Sequence, residues 1–403
     1  MAHLHADDIR VFIQVSIMDR SNARSRRGTA GFTLIELLIS MGITVAILGA
    51  TMAAMSSAVK ANQTALLMTS MNNNLRTGMD LMIRDMLQVG QGLPTGGVIL
   101  TPVGAPFVQI NLPGPPGSAL KNVVGDTDIA AVQPGPGLGP VVNGVATDII
   151  TTLAADSAFD HRSLTALTLT SMTVSKPQPD LVAPAECDIS NGGPDDVVPG
   201  QLMLLTKGTQ TTLVQITSVD GNQSATFASG DSLKLNQPTA DLGSIKALLA
   251  AAPPDVLPAA GNPQYLPTTA TRIRMITYYL DVPAATPTHP RLIRRMNNGD
   301  PLTFNNALGN VVAFDVESLQ ISYDLNDGAT NPSYVKMVAA DTAAAGTGAC
   351  TPNPCSVNQI RKVNVVLMGR STDTLQGLTG RFLRNSLASQ ISLRSLAFVD
   401  RYR

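Results

Sequence analysis

The sequence predicts an α+β protein, with a long N-terminal helix whose first half spans a membrane and whose second half packs on an antiparallel, β-rich globular head. Residues 32–59 form a 28-residue, almost wholly apolar stretch, and about 20 such residues are enough to cross a bilayer as a helix. From residue 141 onward, short apolar runs alternate with turn residues, a pattern typical of strands.

The overall charge is nearly balanced, because 28 Lys and Arg residues stand against 29 Asp and Glu residues. A balanced chain has no strong field to attract nucleic acid or anionic lipid. We therefore expect partners that are bound through packing, and no nucleic-acid partner.

The flanks of the apolar stretch predict its orientation in the membrane. Three arginines precede it, at positions 24, 26 and 27, and only Lys60 follows it closely. Basic residues stay on the cytoplasmic side, so the N-terminus is expected there and the head in the periplasm.

One carboxylate, Glu36, distinguishes three interpretations of this stretch: a cleaved secretory signal, a plain signal anchor and a prepilin segment. A carboxylate within a membrane helix costs about 2.5–3.5 kcal/mol at the bilayer centre and less near the interface. A signal peptide gains nothing from that cost. The cost therefore counts against an ordinary signal, for which cleavage near Ala50 to Ala54 would be the alternative.

The segment RRGTAGFTLIELL resembles the N-terminal motif of type IV pilins and type II secretion pseudopilins, with Gly31, Phe32, Thr33, Leu34 and Glu36 matching together. The resemblance implies a type IV pilin-like fold, cleavage by a prepilin peptidase between Gly31 and Phe32, and N-methylation of Phe32. It also implies that Glu36 pairs with the terminal amine of Phe32 on a neighbouring subunit.

Residues 1–31 are then a leader, although such leaders are short and basic and residues 1–17 are neither. A start at Met18 is the resulting hypothesis. Residues 32–60 form the transmembrane and assembly helix that follows the leader.

Residues 61–90 are predicted to continue the helix, because apolar residues recur at three- and four-residue spacing from Leu66 to Met86. The intervening polar residues, which include Arg84 and Asp85, are expected to face water or neighbours. Gly90, Gly92 and Pro94 end the helix. The stretch LRTGMDLMIRDMLQVGQG resembles PilW-type minor pilins and pseudopilin J, and the resemblance implies a structural role for Arg84 and Asp85, in contact with the sheet or a neighbour.

Residues 91–140 hold nine Pro and ten Gly, which predicts a loop or irregular edge. Residues 141–403 are predicted as the β-rich head. Its expected strands are Asp148 to Leu153, Leu164 to Val174, Gln201 to Leu205, Thr211 to Thr217, Arg272 to Val282, Ala313 to Asp324 and Lys362 to Met368. One short helix is expected at Ser244 to Ala251.

Four C-terminal segments are similar in order to those of PilW-type minor pilins: TRIRMITYYLDV, RLIRRMNN, VAFDVESLQISYDLNDG and QIRKVNVVLMGRS. The ending ISLRSLAFVDRYR resembles the last strand of those proteins. The resemblance implies a minor pilin that helps to prime pilus assembly at or near the fibre tip. Its implied partners are other major and minor pilins, the peptidase and the inner-membrane assembly platform. It would lie in the inner membrane before assembly and on the pilus afterwards. A J-like secretion pseudopilin and a tip adhesin are the alternatives.

Other candidate sites are weaker. Cys350 and Cys355 lie in a Gly/Pro-rich loop, where a small disulfide and two free thiols are both compatible with the sequence, and Cys187 is left over. Asp324 to Gly328 has the look of a hairpin turn, with calcium binding as the alternative, because its spacing is one residue short of a calcium loop.

The cluster of Arg291, Arg294 and Arg295 is expected to be solvated or paired with carboxylates such as Asp281 and Asp300. The chain has no G-x-S-x-G, Walker or H-E-x-x-H motif, and His161 and His289 have no evident partners. We expect no catalytic residue, metal or cofactor.

Overall fold

The computed structural model describes residues 31–94, 98–100, 109–115, 120, 128–156, 163–170, 173–175, 197–220, 224–237, 243–250, 268–284, 286, 289–297, 309–325, 357–375 and 381–397. The chain divides into two compact units, Met1–Ala61 and Asn62–Arg403. The candidate disulfide Cys350–Cys355, Cys187, His161 and Asp300 lie outside the described residues, as does most of the candidate calcium turn.

One long helix, α1, spans Leu34–Leu87 and contains 54 residues. It ends where the sequence predicts, because Gly90 and Gly92 adopt φ angles of 79° and 69°, a region that glycine enters without steric cost. The amide of Gly90 donates to the carbonyl oxygen of Leu153 at 2.9 Å, so the chain turns directly from the helix into the sheet.

The rest of the described chain is mainly strand. The strands are β1 Val98–Leu100, β2 Asp128–Ala130, β3 Val132–Gly135, β4 Val141–Val142, β5 Val145–Ala146, β6 Ile149–Ala155, β7 Ser163–Thr170, β8 Thr173–Ser175, β9 Leu202–Lys207, β10 Gln210–Gln215, β11 Ser218–Asp220, β12 Ser224–Thr226, β13 Thr268–Asp281, β14 Arg291–Met296, β15 Asn310–Phe314, β16 Val316–Leu325, β17 Ile360–Arg370 and β18 Arg384–Ser392. The short helices are α2 Ile245–Ala250, a 3-10 turn Val357–Gln359 and α3 Arg394–Ala397.

Strand β13 organises the largest sheet. Its 14 residues are rich in Thr, Ile and Tyr, which favour strands, and it pairs antiparallel with β6, β7, β9 and β14. The strand order is β10-β9-β13-β7-β8-β12-β11, with β14–β15 and β6–β3 as side branches from β13. The described pairings of this sheet are all antiparallel.

A second sheet has the order β16-β17-β18 and is also antiparallel. Alternate side chains of β16 are buried, including Leu319, Ile321 and Tyr323. They lie opposite Leu367, Val365 and Val363 of β17. Period-two burial of this kind gives the sheet one core face and one exposed face.

The main core lies between α1 and both sheets. It joins helix residues from Met71 to Met86 with Tyr278 and Leu280 of β13, Leu292 of β14 and the buried faces of β16 and β17. Two smaller clusters of buried residues lie elsewhere in the head, one with Phe227 and Leu248 and the other with Ile273 and Met275. The long N-terminal apolar helix and the antiparallel β-rich body are therefore confirmed as the layout of the chain.

Strands occur at all seven predicted positions, with shifted ends, and the short helix is present at Ile245–Ala250. Three predictions need correction. The segment predicted as one strand from Leu164 to Val174 contains two strands, β7 and β8, which pair antiparallel with each other. The segment predicted as one strand from Ala313 is broken at Asp315, which adopts φ 54°. The last strand ends at Ser392, and Arg394–Ala397 is helical.

Residues 91–140 also contain strands β1, β2 and β3, which the Pro and Gly content concealed. Pro134 lies in β3, which pairs with β6 alone in the described sheet. An edge position suits proline, since the missing N–H is not required there.

Candidate functional site

The start of α1 is stabilised by a reciprocal capping arrangement between Thr33 and Glu36. The carboxylate Oε2 of Glu36 accepts from the backbone N–H of Thr33 at 3.1 Å and from its hydroxyl at 3.0 Å. The Glu36 amide donates to the Thr33 hydroxyl at 3.3 Å. This is the T-x-x-E capping box, a signal that was available in the sequence but was missed there.

Gly31 and Phe32 lie immediately before this cap. Phe32 is 86% exposed, and a Cβ placed on Gly31 would meet no other atom within 4 Å. The predicted processing residues are therefore accessible next to the first turn of the helix.

The helix residues of the first unit are exposed and apolar. Every residue from 31 to 61 is exposed, and apolar side chains such as Leu34, Ile35 and Val45 are 66–80% exposed. By its length and apolar composition, α1 can cross a membrane. Such a surface in water would be unfavourable, and a bilayer or neighbouring helices would cover it.

Within the second unit, the helix is buried along the methionine-rich stripe that the sequence predicts. Met71, Leu75, Met79, Met82 and Met86 are at most 5% exposed. Burial of each such side chain stabilises the fold by about 1.5–3 kcal/mol. The stripe therefore attaches the second half of α1 to the sheets.

Two glycines allow the backbones to approach closely at this contact. A Cβ on Gly78 would lie 3.0 Å from Cβ of Ala313, and a Cβ on Gly369 would lie 2.7 Å from Cδ2 of Leu75. Neither site has room for a side chain without displacement of its neighbours.

A buried charged cluster fixes the last turn of α1 to the sheet. Asp85 is 6% exposed, which corrects the expectation that it faces water. Its Oδ2 accepts from the Tyr278 hydroxyl at 2.5 Å and from Nε of Arg294 at 2.6 Å. The resemblance-based expectation that Asp85 contacts the sheet is confirmed by these bonds.

The cluster raises the pKa values of Tyr278 and Arg294. Burial, reinforced by the charge of Asp85, raises the pKa of Tyr278 well above its ordinary value. Burial lowers the pKa of Arg294, but the hydrogen bond and the charge of Asp85, together with Tyr278, outweigh burial and raise the pKa above its ordinary value. Tyr278 stays neutral and Arg294 stays charged, so the cluster contains one ion pair with a neutral donor.

Asparagines complete the attachment of α1. Asn74 makes two bonds to the backbone of Phe314, donating to its oxygen at 2.5 Å and accepting from its amide at 3.1 Å. Asn385 donates to Asn72 Oδ1 at 2.7 Å. These polar residues between the stripe positions bind the sheets, whereas the sequence suggested only water or neighbours.

Beside this contact lies a cavity of about 360 Å³ lined by residues of α1 together with His289, Phe314, Asp315, Arg370 and Thr372. His289 Nδ1 lies 2.7 Å from Asp315 Oδ1, so the expectation that His289 lacks a partner is wrong. Asp315 also accepts from the Thr372 hydroxyl at 3.0 Å. These bonds hold Asp315 in its left-handed conformation.

The arginine cluster is paired, as the sequence suggested. Arg291 lies 2.8 Å from Asp281, Arg294 binds Asp85, and Arg295 donates to the Gly114 carbonyl. Asp324, from the candidate calcium turn, accepts from Asn364 and Gln390. Among the described residues, no group of three His, Cys, Asp or Glu side chains could hold a metal ion.

The comparison with known families identifies the N-terminal segment. Residues 26–52 match the model of the prokaryotic N-terminal methylation motif, and this range contains the cap and the first part of the exposed apolar helix. No curated protein and no solved structure matches the chain significantly. The motif, the membrane-compatible helix and the antiparallel head together support a type IV pilin-like or pseudopilin-like subunit that is anchored in the inner membrane and processed by prepilin peptidase.

Proposed function

We propose that the chain is a PilW-type minor pilin, a structural, non-catalytic subunit that helps to prime a type IV pilus at or near its tip. The observation that carries the proposal is the exposed apolar start of α1, in which Glu36 is the one charged residue between Phe32 and Val59. The methylation motif over this segment supports the coarser part of the proposal, a pilin-like subunit that is processed at its N-terminus.

In this proposal, peptidase removes the leader after Gly31 and the new amine of Phe32 is methylated. Glu36 then has two tasks. Its Oε2 caps the helix through Thr33, while no bond to Oε1 occurs among the described residues. We assign Oε1 to the terminal amine of a neighbouring subunit, a pairing that offsets the cost of an isolated carboxylate in an apolar surrounding.

A J-like pseudopilin of the type II secretion system remains the second candidate, since the methylation motif is compatible with pilins and pseudopilins. The similarity of the C-terminal segments to PilW-type proteins and the large head favour the pilus. The two candidates differ in the fibre that contains the chain, which fractionation of pili from secretion-defective and pilus-defective cells distinguishes.

The test is mass spectrometry of the full chain recovered from membranes and from sheared fibres, for the wild type and for Glu36→Gln. We expect a methylated Phe32 at the N-terminus of both proteins, because the substitution leaves the cleavage residues intact. Glu36→Gln should lower recovery in fibres by about tenfold or more, in line with the loss of a desolvated ion pair.

Glu36→Asp is the matched control, because it keeps the charge while shortening the side chain. A mature chain that begins at a residue other than Phe32 would refute the processing part of the proposal. Equal incorporation of wild type and Glu36→Gln would refute the role of the carboxylate in assembly.

A further inference from the structure

Among the described strands, β18 pairs with β17 alone, so one edge of the β16-β17-β18 sheet is open there. Bonds at its two ends define which backbone groups point outward: Ser371 donates to the Leu383 oxygen and Leu393 to the Arg361 oxygen, both at 2.8 Å. Hydrogen-bonded and non-hydrogen-bonded pairs alternate in an antiparallel ladder, and the β17–β18 register is unbroken. The N–H and C=O groups of Ser386, Ala388 and Gln390 therefore point away from β17.

Side chains bond to the outer backbone of three other strands, β10, β15 and β16. Asn236 makes bonds of 2.9 and 2.7 Å to the backbone of Gln215 in β10. Asn74 does the same at Phe314 in β15. Asp148 closes β16, since its amide donates to Leu319 and its Oδ2 accepts from the Ile321 amide at 2.7 Å.

Strand β18 has one such contact along its nine residues: the Ser386 amide donates to Asn385 Oδ1 at 2.9 Å. In the described chain, the outward groups of Ala388 and Gln390 have no hydrogen-bond partner, and both residues are exposed. The strand also lacks Pro and Lys, which commonly protect open edges. This edge has the features of a site for strand addition.

We propose that β18 binds an extended, uncharged strand of a different pilin-like subunit, which becomes the fourth strand of this sheet. Only an extended polypeptide presents donors and acceptors at the two-residue spacing of the open groups. The one charge in β18, Arg384, is neutralised by Glu317 at 2.6 Å, so a neutral partner strand meets no unpaired charge.

The exposed face beside the edge indicates what side chains the partner carries. Val366 lies opposite Ala388 in the ladder and Met368 lies opposite Ser386, and both apolar side chains are 38% exposed. Because Ala388 and Ser386 are small, an aliphatic side chain on an added strand would reach over them and cover Val366 and Met368.

The position of β18 explains why the partner is a fibre neighbour. Asn385, near the start of the strand, bonds to Asn72 of α1, so a subunit that packs along this part of α1 also reaches the open edge. The inference rests on the proposed function to this extent, since it takes the partner from the same fibre.

The test places a photocrosslinking residue at Gln390 of the full chain in cells and maps the adduct by mass spectrometry. We expect the adduct on an extended segment of a second subunit that has its own methylation motif. Ala388→Pro removes one outward N–H but no bond to β17, and it should lower the adduct yield about tenfold. Ala388→Val keeps the N–H and suits a strand, so its yield should stay within about twofold.

Ala388→Lys provides a second disruption that leaves the backbone intact, and it should also lower the yield, because a charge on the edge opposes a neutral strand. Unchanged yields with both Pro and Lys, or an adduct on β18 of a second copy, would overturn the inference. Recovery of the chain in sheared fibres separates the two proposals. A chain that enters fibres without the adduct refutes only the open-edge inference, whereas a chain absent from all fibres refutes the proposed function as well.

Discussion

The carboxylate of Asp85 is the polar group that contributes most to the attachment of α1 to the sheet. Its carboxylate is 6% exposed and neutralises Arg294 inside the core. Removal of one partner from a buried ion pair leaves an uncompensated charge, which costs about 3–5 kcal/mol.

We therefore expect Asp85→Asn to lower the free energy of unfolding by about 3 kcal/mol. Urea unfolding of the full chain in detergent, followed by far-ultraviolet circular dichroism, measures this change. Asp80→Asn is the control, because Asp80 is on the same helix but exposed, and it should change stability by no more than about 0.5 kcal/mol. Equal effects of the two substitutions would contradict the role assigned to the buried pair.

At the scale of residues, the sequence predicts the role of a residue that belongs to a local motif. It does not predict the role of a residue whose partners lie far away in the chain. Glu36 and Phe32 are recognisable because they stand at fixed spacing in front of an apolar run. Asp85 is not, since Arg294 is 209 positions away in the chain. Its polar character alone predicts exposure, and the fold overrides that expectation.

At the scale of elements, the stripe of α1 contributes through packing. Met82 is fully buried, and Met→Ala in a core typically costs about 2–5 kcal/mol because a cavity remains. Met82→Ala should thus lower the melting temperature of the full chain clearly, in a thermal scan in detergent. Leu66→Ala is the matched control, because Leu66 lies on the same helix and is 63% exposed. A melting temperature that is unchanged in both variants would show that the stripe does not hold the helix.

The elements themselves were predictable where periodicity is long. The stripe of α1 and the alternation in β16 and β17 are visible in the sequence because each repeats over many residues. The break at Asp315 was not visible in the sequence, because aspartate adopts a left-handed conformation only in a minority of cases. Here the carboxylate of Asp315 is bonded by His289 and Thr372, which are distant in the chain. Short strands such as β3 were concealed by Pro134, which an edge position accepts.

At the scale of the whole molecule, strand order depends on contacts that no local pattern contains. Strand β13 pairs with four partners, which lie as far apart in the chain as β6 and β14. Turn chemistry fixes pairings between adjacent strands, but it does not relate strands separated by a hundred residues. The antiparallel class of the head could therefore be predicted, whereas its topology could not.

The acid stability of the whole fold depends on Glu317, which binds two arginines of the second sheet. Burial disfavours its charged form, but hydrogen bonds from Arg384 and Asn143 and the arginine charges outweigh burial and lower the pKa of Glu317 from its ordinary value of 4.5. A lowered pKa in the folded state stabilises the fold fully above the unfolded value. This contribution is lost as the pH falls through the folded pKa.

Glu317→Gln should accordingly unfold more easily than the wild type at pH 7, and the difference should shrink as the pH is lowered below about 4.5. Thermal unfolding of both full chains between about pH 7 and pH 3 measures the two profiles. Parallel profiles over this interval would contradict the contribution assigned to the Glu317 carboxylate.

Oxidation of the methionines along α1 would show which parts of the helix are covered. Met52 and Met55, in the apolar start of α1, are 75% and 71% exposed, whereas Met82 and Met86 are fully buried. Peroxide converts an accessible thioether into a polar sulfoxide, so a bilayer or neighbouring helices would shield the first pair and the head would shield the second. Sulfoxide formation at Met82 would then report release of the helix from the head, and because the product no longer fits an apolar core, that release would be difficult to reverse without a reductase.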